Sequence, residues 1–189
     1  LFVLNDFGDF YQPNKLLRQE PGTDTFSEIG GTANFNAAIN SMGIAAGDIN
    51  EDGLAETAKA VRSSAIGSNA IDSSTLIVPT NVADRSAVDR LAASALTLAN
   101  RIDVWANVAG IVKHFDIVDA TESSLDQVIA VNLKGVYWGC AAAGRAMAMT
   151  GRGSIINISS SGGDSSPPGL SAYAMTKAGV NALTRSVAK

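Results

Sequence analysis

Short apolar runs alternate along this chain with longer segments whose apolar residues recur every three or four positions. Ile44 to Gly47, Thr75 to Pro79, Ile102 to Ala106 and Ser154 to Ile158 are runs of strand length. Between them, Glu51 to Ser63 reads as a helix with a polar face, and Arg85 to Asn100 places Val88, Leu91, Ala92 and Ala95 on one helical face. Ser124 to Met149 predicts two helices, and Ala172 to Val187 a further one. Strands that alternate with helices predict an α/β fold, with a parallel sheet and crossover helices.

The pattern is less regular at the start. Leu1 to Leu4 has strand character, but Asn5 to Gly22 is polar and loop-like, with Pro13 and Pro21. The chain therefore divides into a divergent segment, residues 1–22, and an α/β domain, residues 23–189. The Ser-rich stretch Ser63 to Ser74 predicts a surface loop that is long for such a connection. Gly162 to Gly169, with Pro167 and Pro168, predicts a loop joining the last strand to the last helix. There are no internal repeats.

At 189 residues, 46% apolar and 17% charged, the chain has the composition of one globular domain with a sizeable core. A net charge of −4 argues against a nucleic-acid surface or an anionic membrane as partner. No apolar run reaches membrane-spanning length, and no basic start precedes an apolar segment, so a cytoplasmic address is expected. The chain opens at Leu1 instead of Met, which leaves open that its true start lies upstream. Cys140 has no second cysteine to pair with and reads as a small buried hydrophobe. His114 has no Cys or His cluster beside it, so no metal site is expected.

The chemistry concentrates near the C-terminal end. Tyr173 and Lys177 are four apart, one turn from each other on one helix face. A free phenol has a pKa of about 10, and a neighbouring ammonium lowers it toward the range useful for general acid–base work. Ser160 follows the apolar run Ile155 to Ile158, so its hydroxyl can emerge at a strand's C-terminal end and donate to a substrate oxygen. Alone, a Tyr and Lys at this spacing occur on many surface helices; the neighbouring motifs change the picture.

Asn157-Ile158-Ser159-Ser160, then Tyr173 thirteen positions after Ser160, then Lys177, resembles the active-site segment of short-chain dehydrogenases/reductases. Asn107-Val108-Ala109-Gly110 resembles that family's Asn-Asn-Ala-Gly turn, with Val108 in place of the second Asn. Val131-Asn132-Leu133-Lys134-Gly135 is similar to the segment holding the fourth member of the family's catalytic tetrad. Gly47-Asp48-Ile49-Asn50, with Glu51 to Leu54 after it, resembles the end of the second strand and the start of the next helix. The resemblance runs from about Ile29 to Lys189.

It implies a doubly wound, Rossmann-like parallel sheet of order 3-2-1-4-5 between two helix layers, and oxidoreduction of an alcohol/carbonyl pair by exchange with a nicotinamide. In that reading Tyr173 is the general acid–base, and Lys177 lowers its pKa and holds the nicotinamide ribose. Ser160 polarises the substrate oxygen and Asn132 anchors a water in the proton path. An epimerase or dehydratase on the same fold, or a non-catalytic homologue serving as an association module, is the alternative. Family members continue beyond the helix in which this chain ends, into a sixth strand, a Pro-Gly loop, a lid and a seventh strand. A fold truncated after the helix following strand 5, and poor catalysis by the 189 residues alone, are therefore expected.

The family cradles the cofactor pyrophosphate on Thr-Gly, three residues, then Gly-x-Gly, at a helix N-terminus. The corresponding positions are Thr23, Asp24, Glu28, Ile29 and Gly30, so only the last glycine is kept; Gly30-Gly31-Thr32 offers an alternative register. Asp48 lies 18 residues after Gly30, where an acid binds the adenosine ribose hydroxyls and repels a 2′-phosphate. NAD is thus expected over NADP; Asp48 can cap the next helix with Glu51 as well, but the ribose role is the favoured one. Asn81-Val82 corresponds to the family's adenine-side Asp-Val, and Asn107 completes the expected cofactor set. The family's mode of association implies a homo-oligomer built on the helices 132–149 and 172–187, whose small residues (among them Gly139, Ala178 and Ala182) permit close approach.

Overall fold

A computed structural model of the chain describes residues 76–188 in full and, for the backbone alone, residues 17–19, 26–28, 44–48 and 75. Two parallel strand pairs form the frame. Strand β3 (Ile44–Asp48) pairs with β4 (Thr75–Pro79), aligning Ile44 with Thr75 and Asp48 with Pro79. Strand β5 (Val104–Asn107) pairs with β6 (Ser154–Asn157), aligning Asn107 with Asn157. The pairings 3-2 and 4-5 of the expected order 3-2-1-4-5 are thus present as separate two-stranded sheets, and the central strand expected between them lies outside the described residues.

A third, antiparallel pair joins β1 (Leu17–Gln19) to β2 (Phe26–Glu28), with Leu17 opposite Glu28. The polarity of Asn5 to Gly22 predicts only loop there. Strands of three residues are too short for alternation to register. The pair also joins residues from either side of the boundary expected at Gly22. The expectations for Leu1 to Leu4, the Glu51 to Ser63 helix and the Ser63 to Ser74 loop lie outside the described residues.

Helix α1 (Arg85–Ala99) starts where the Asp84 carboxylate accepts from the Ser86 amide at 2.9 Å. It stops at Asn100, whose φ of 58° turns the chain while its amide donates to Leu96 O. Its apolar face buries Ala87, Val88, Leu91 and Ala92, as its periodicity predicts. Strand β5 begins two residues later than the apolar run suggests. Ile102 drops into the core instead, and Asp103 pairs with Arg101 at 3.0 Å and Arg152 at 3.8 Å.

The region read as two helices holds two α-helices, joined without a loop by a π-helical segment. Helix α2 (Glu122–Ile129) opens on a capping box between Thr121 and Ser124. It continues through a π-helical segment, Ala130–Gly135, into helix α3 (Val136–Ala148). No proline interrupts the run, so nothing forces a break. Helix α4 (Ser171–Val187) follows β6. None of the described helices is long and apolar enough to cross a membrane.

One cluster, Val88, Ala92, Ile102, Ala142, Ala143, Ala146 and Met147, packs α1 and α3 against Trp105 and Ile155 of the sheet. A second, Val136, Cys140 and Val180, joins α3 to α4. Cys140 is buried, and its burial raises the thiol pKa above the ordinary value despite contacts with the Asn157 and Asn107 side chains. A buried thiol held protonated reacts slowly. Native protein should therefore take up iodoacetamide at neutral pH no faster than it unfolds, and denaturant should release rapid labelling, as read by mass spectrometry.

Candidate active site

The C-terminal ends of β5 and β6 lead into the segments that build the site. Ser160 ends the β6 exit and its Oγ accepts from the Gly162 amide at 3.1 Å, closing a short 3-10 turn, Ser161–Gly163. A Cβ at Gly162 would stand 3.4 Å from both Ser160 Oγ and Tyr173 Cε1. Serine and phenol ring therefore flank one point. Gly163 brings this turn against α4: a Cβ there would lie 3.0 Å from the backbone of Lys177 and Ala178, so only glycine permits the approach without displacement. The Ser159 hydroxyl donates to Lys177 O at 3.2 Å and ties the same junction.

Tyr173 is 2% exposed and its hydroxyl is buried without a hydrogen-bond partner. Lys177, 3% exposed, holds its Nζ 5.4 Å from the Tyr173 ring centroid and donates to Ile158 O at 3.0 Å. Asn132, 1% exposed, lies in the π segment. Its Oδ1 accepts from Ile111 N and its Nδ2 donates to Ile111 O, both at 2.8 Å. A Cβ at Gly110 would lie 3.6 Å from Asn132 Oδ1 and 3.7 Å from Lys177 Nζ, so the turn after β5 passes between these two side chains. Ser160, Tyr173, Lys177 and Asn132 thus lie within one cluster. π-helical bulges occur frequently at functional sites.

The cofactor-side residues are placed less uniformly. Asp48 ends β3 beside Pro79, at the same end of its parallel pair as Asn81. Asn81 is exposed and its Oδ1 accepts from Ala83 N at 3.0 Å. Val82 packs over Gly135, its Cγ2 3.0 Å from where a Cβ would be, so its side chain serves the α3 contact. The Asn107 amide is committed inward: Nδ2 donates to Asn157 Oδ1 and Oδ1 accepts from Trp105 Nε1, both at 2.8 Å. Any contribution of Asn107 to a cofactor therefore falls to its backbone. Gly139 likewise packs on Asn107 and Trp105 of its own sheet, which removes it from the small residues available to a second copy, whereas Ala178 and Ala182 are exposed.

Ile29 and Gly30 lie outside the described residues, while Glu28, expected in the phosphate turn, closes β2 opposite Leu17. The buried Tyr173 hydroxyl without a partner, and Lys177 beside the Gly110 turn, are a donor pair whose chemistry would suit the hydroxyls of a nicotinamide cofactor. Among the described residues no group of three or more His, Cys, Asp or Glu could hold a metal ion. Thr176, to which the sequence motifs assign no role, is fully buried; its Oγ1 donates to Tyr173 O at 2.7 Å and accepts from Asn132 Nδ2 at 3.4 Å. A hydroxyl three residues after Tyr173, on the same helical face, was the available signal.

Parallel strands joined by packed helices, with polar side chains gathered beyond the strands' C-terminal ends, define a doubly wound α/β domain of the dinucleotide-binding type. The family model described as short chain dehydrogenase matches residues 29–189, and the chain belongs to that family. It is 34% identical over 99 residues to galactitol 2-dehydrogenase (L-tagatose-forming) of Cereibacter sphaeroides, a match covering 51% of this chain and 39% of that protein. It is 44% identical over 87 residues to human (3R)-3-hydroxyacyl-CoA dehydrogenase, covering 46% of this chain and 33% of the relative.

Among solved structures, levodione reductase superposes with a TM-score of 0.69 at 28% identity, over 75% of this chain and 54% of the other. A short chain dehydrogenase/reductase from Burkholderia phymatum in complex with NAD gives a TM-score of 0.69 at 25% identity, over 76% and 49%. The chain thus spans about half the length of these solved relatives, and its matches to the two curated enzymes span less.

Proposed function

We propose that the protein to which this chain belongs interconverts an alcohol and a carbonyl with NAD as hydride partner, Tyr173 acting as general acid–base. The observation that carries this reading is the partnerless, buried Tyr173 hydroxyl beside Lys177 and Ser160. A buried hydroxyl left unpaired is costly, and a substrate oxygen would satisfy it. In reduction Tyr173 gives its proton to the carbonyl oxygen; in oxidation it takes the alcohol proton. Lys177 stabilises the phenolate between turns. Ser160 Oγ accepts from the Gly162 amide, which leaves its O–H to donate to the substrate oxygen and orient it. A nicotinamide held there would provide the hydride acceptor or donor. The Asn132 side chain is occupied by Ile111 and Thr176, so its part is to hold the Gly110 turn beside Lys177, in place of the water-anchoring role expected of its side chain.

Asp48, at the end of β3, favours NAD by repelling a 2′-phosphate. In the full-length protein kcat/KM should favour NAD roughly 10-fold or more, and replacing Asp48 with Ser should narrow the gap. Equal constants for both cofactors in the parent would remove Asp48 as the discriminating group.

A second reading, a non-catalytic homologue that works by association, is favoured by Glu28, which closes an antiparallel strand where the family presents a glycine turn. Fluorescence titration of the full-length protein with NADH, alongside turnover on a panel of secondary alcohols and ketones, separates the two. Saturable binding with turnover supports the oxidoreductase. No binding and no turnover would leave the association reading.

A further inference from the structure

Outside the four family residues, one buried group is wired directly to two of the elements they occupy. Thr176 is fully buried on α4, between Tyr173 and Lys177 in sequence. Its Oγ1 donates to Tyr173 O at 2.7 Å, the back-bonding geometry that threonine adopts on a helix. The same oxygen accepts from Asn132 Nδ2 at 3.4 Å, across 44 residues of chain. The other donor of that amide goes to Ile111 O, and its oxygen accepts from Ile111 N. One hydroxyl therefore links the π segment, the turn after β5 and the helical turn that carries the phenol.

We propose that Thr176 is a positioning residue for proton transfer. Its hydroxyl fixes the register of the Tyr173–Lys177 turn against Asn132. The inference rests on the oxidoreductase reading. Packing alone does not account for the contact, because Val would fill the same β-branched volume without an acceptor for the Asn132 amide. With Val at this site, that amide loses a partner in a buried place and the Asn132 side chain must turn to find another. The turn after β5 is held by Asn132, so its place relative to Lys177 Nζ would shift with it. A displacement near 1 Å at a reacting group costs roughly 100-fold in rate.

The test compares parent, T176V and T176S in the full-length protein. For T176V we expect kcat to fall roughly 10- to 100-fold with KM for cofactor and alcohol within about twofold. T176S should restore kcat, because it returns the hydroxyl. Unchanged kcat in T176V would overturn the proposal, as would a loss that T176S fails to restore.

A second readout needs no turnover. The alkaline rise of tyrosinate absorbance assigned to Tyr173 by its absence in Y173F should move to higher pH in T176V, because Lys177 no longer stands in register to favour the phenolate. An unmoved midpoint overturns the positioning role. If the parent turns over no alcohol or ketone, the oxidoreductase reading fails, and the tyrosinate titration still decides the role of Thr176.

Discussion

Replacing Tyr173 with Phe in the full-length protein should lower turnover by roughly 10²- to 10⁴-fold while leaving the fold as stable as the parent, or more so. The first half follows from the role: removal of a general acid–base group costs that much when nothing else can carry the proton. The second half follows from the site. The phenol hydroxyl is buried and has no partner, so deleting it breaks no hydrogen bond. Burying an unsatisfied polar group costs about 1–3 kcal/mol, which the phenylalanine recovers in part. The ring itself stays, and with it the contact to Lys177 Nζ at 5.4 Å from the centroid. Activity and stability should thus move in opposite directions, the stability–function trade-off of a site built for chemistry. Steady-state kinetics with denaturant titration of both proteins checks this. A variant that loses activity because it unfolds, or one that keeps parental kcat, would remove Tyr173 from the proposed chemistry.

How much of this was legible beforehand depends on the range of the interaction concerned. The spacing of Tyr173 and Lys177 puts both on one helix face, and the apolar run before Ser160 marks a strand whose end must carry the hydroxyl; both are local patterns. The extent of α1 follows from its period and its Asp84 and Asn100 caps, whereas α4 has no side-chain cap and rests on its sequence pattern alone. The π segment around Asn132 was not readable, because one extra residue in a helical turn leaves no separate period in apolar positions.

The inward commitment of Asn107 depends on pairing register. Trp105 and Asn107 share a face of β5, and Asn107 lies opposite Asn157, which the chain's own order does not disclose. Thr176 depends on a contact 44 residues away in sequence and is hidden from local pattern for the same reason. The phosphate turn is a different matter. Asp24 and Glu28 break the family's glycine pattern in plain view, and the antiparallel pairing of Glu28 with Leu17 is a strand arrangement that polarity alone did not suggest.

Gly139→Ala should be among the most damaging single-methyl substitutions in the described part of the chain. Glycine here serves close approach: a Cβ would overlap Asn107 Oδ1 and stand 2.8 Å from Asn107 Cγ and 2.9 Å from Trp105 Nε1. Side chains at the ends of flexible arms can yield to such a clash, but these two cannot do so freely. Asn107 Oδ1 is held by Trp105 Nε1, and its Nδ2 by Asn157, whose own Nδ2 donates to Thr184 of α4. Moving Asn107 therefore breaks a chain of hydrogen bonds that ties β5, β6 and α4 together; moving α3 instead opens the core around Ala142, Ala143 and Met147. Overpacking alone costs about 1–3 kcal/mol, and the half-buried Asn107 amide left unpaired adds roughly 1 more. We expect a loss of roughly 2–4 kcal/mol, measured by urea or thermal unfolding, a large share of a domain's usual margin. Gly144→Ala is the control, since a Cβ there meets nothing within 4 Å and alanine is the better helix former. Should Gly139→Ala unfold at the same denaturant concentration as the parent, the Asn107 network would have to be far softer than its geometry indicates.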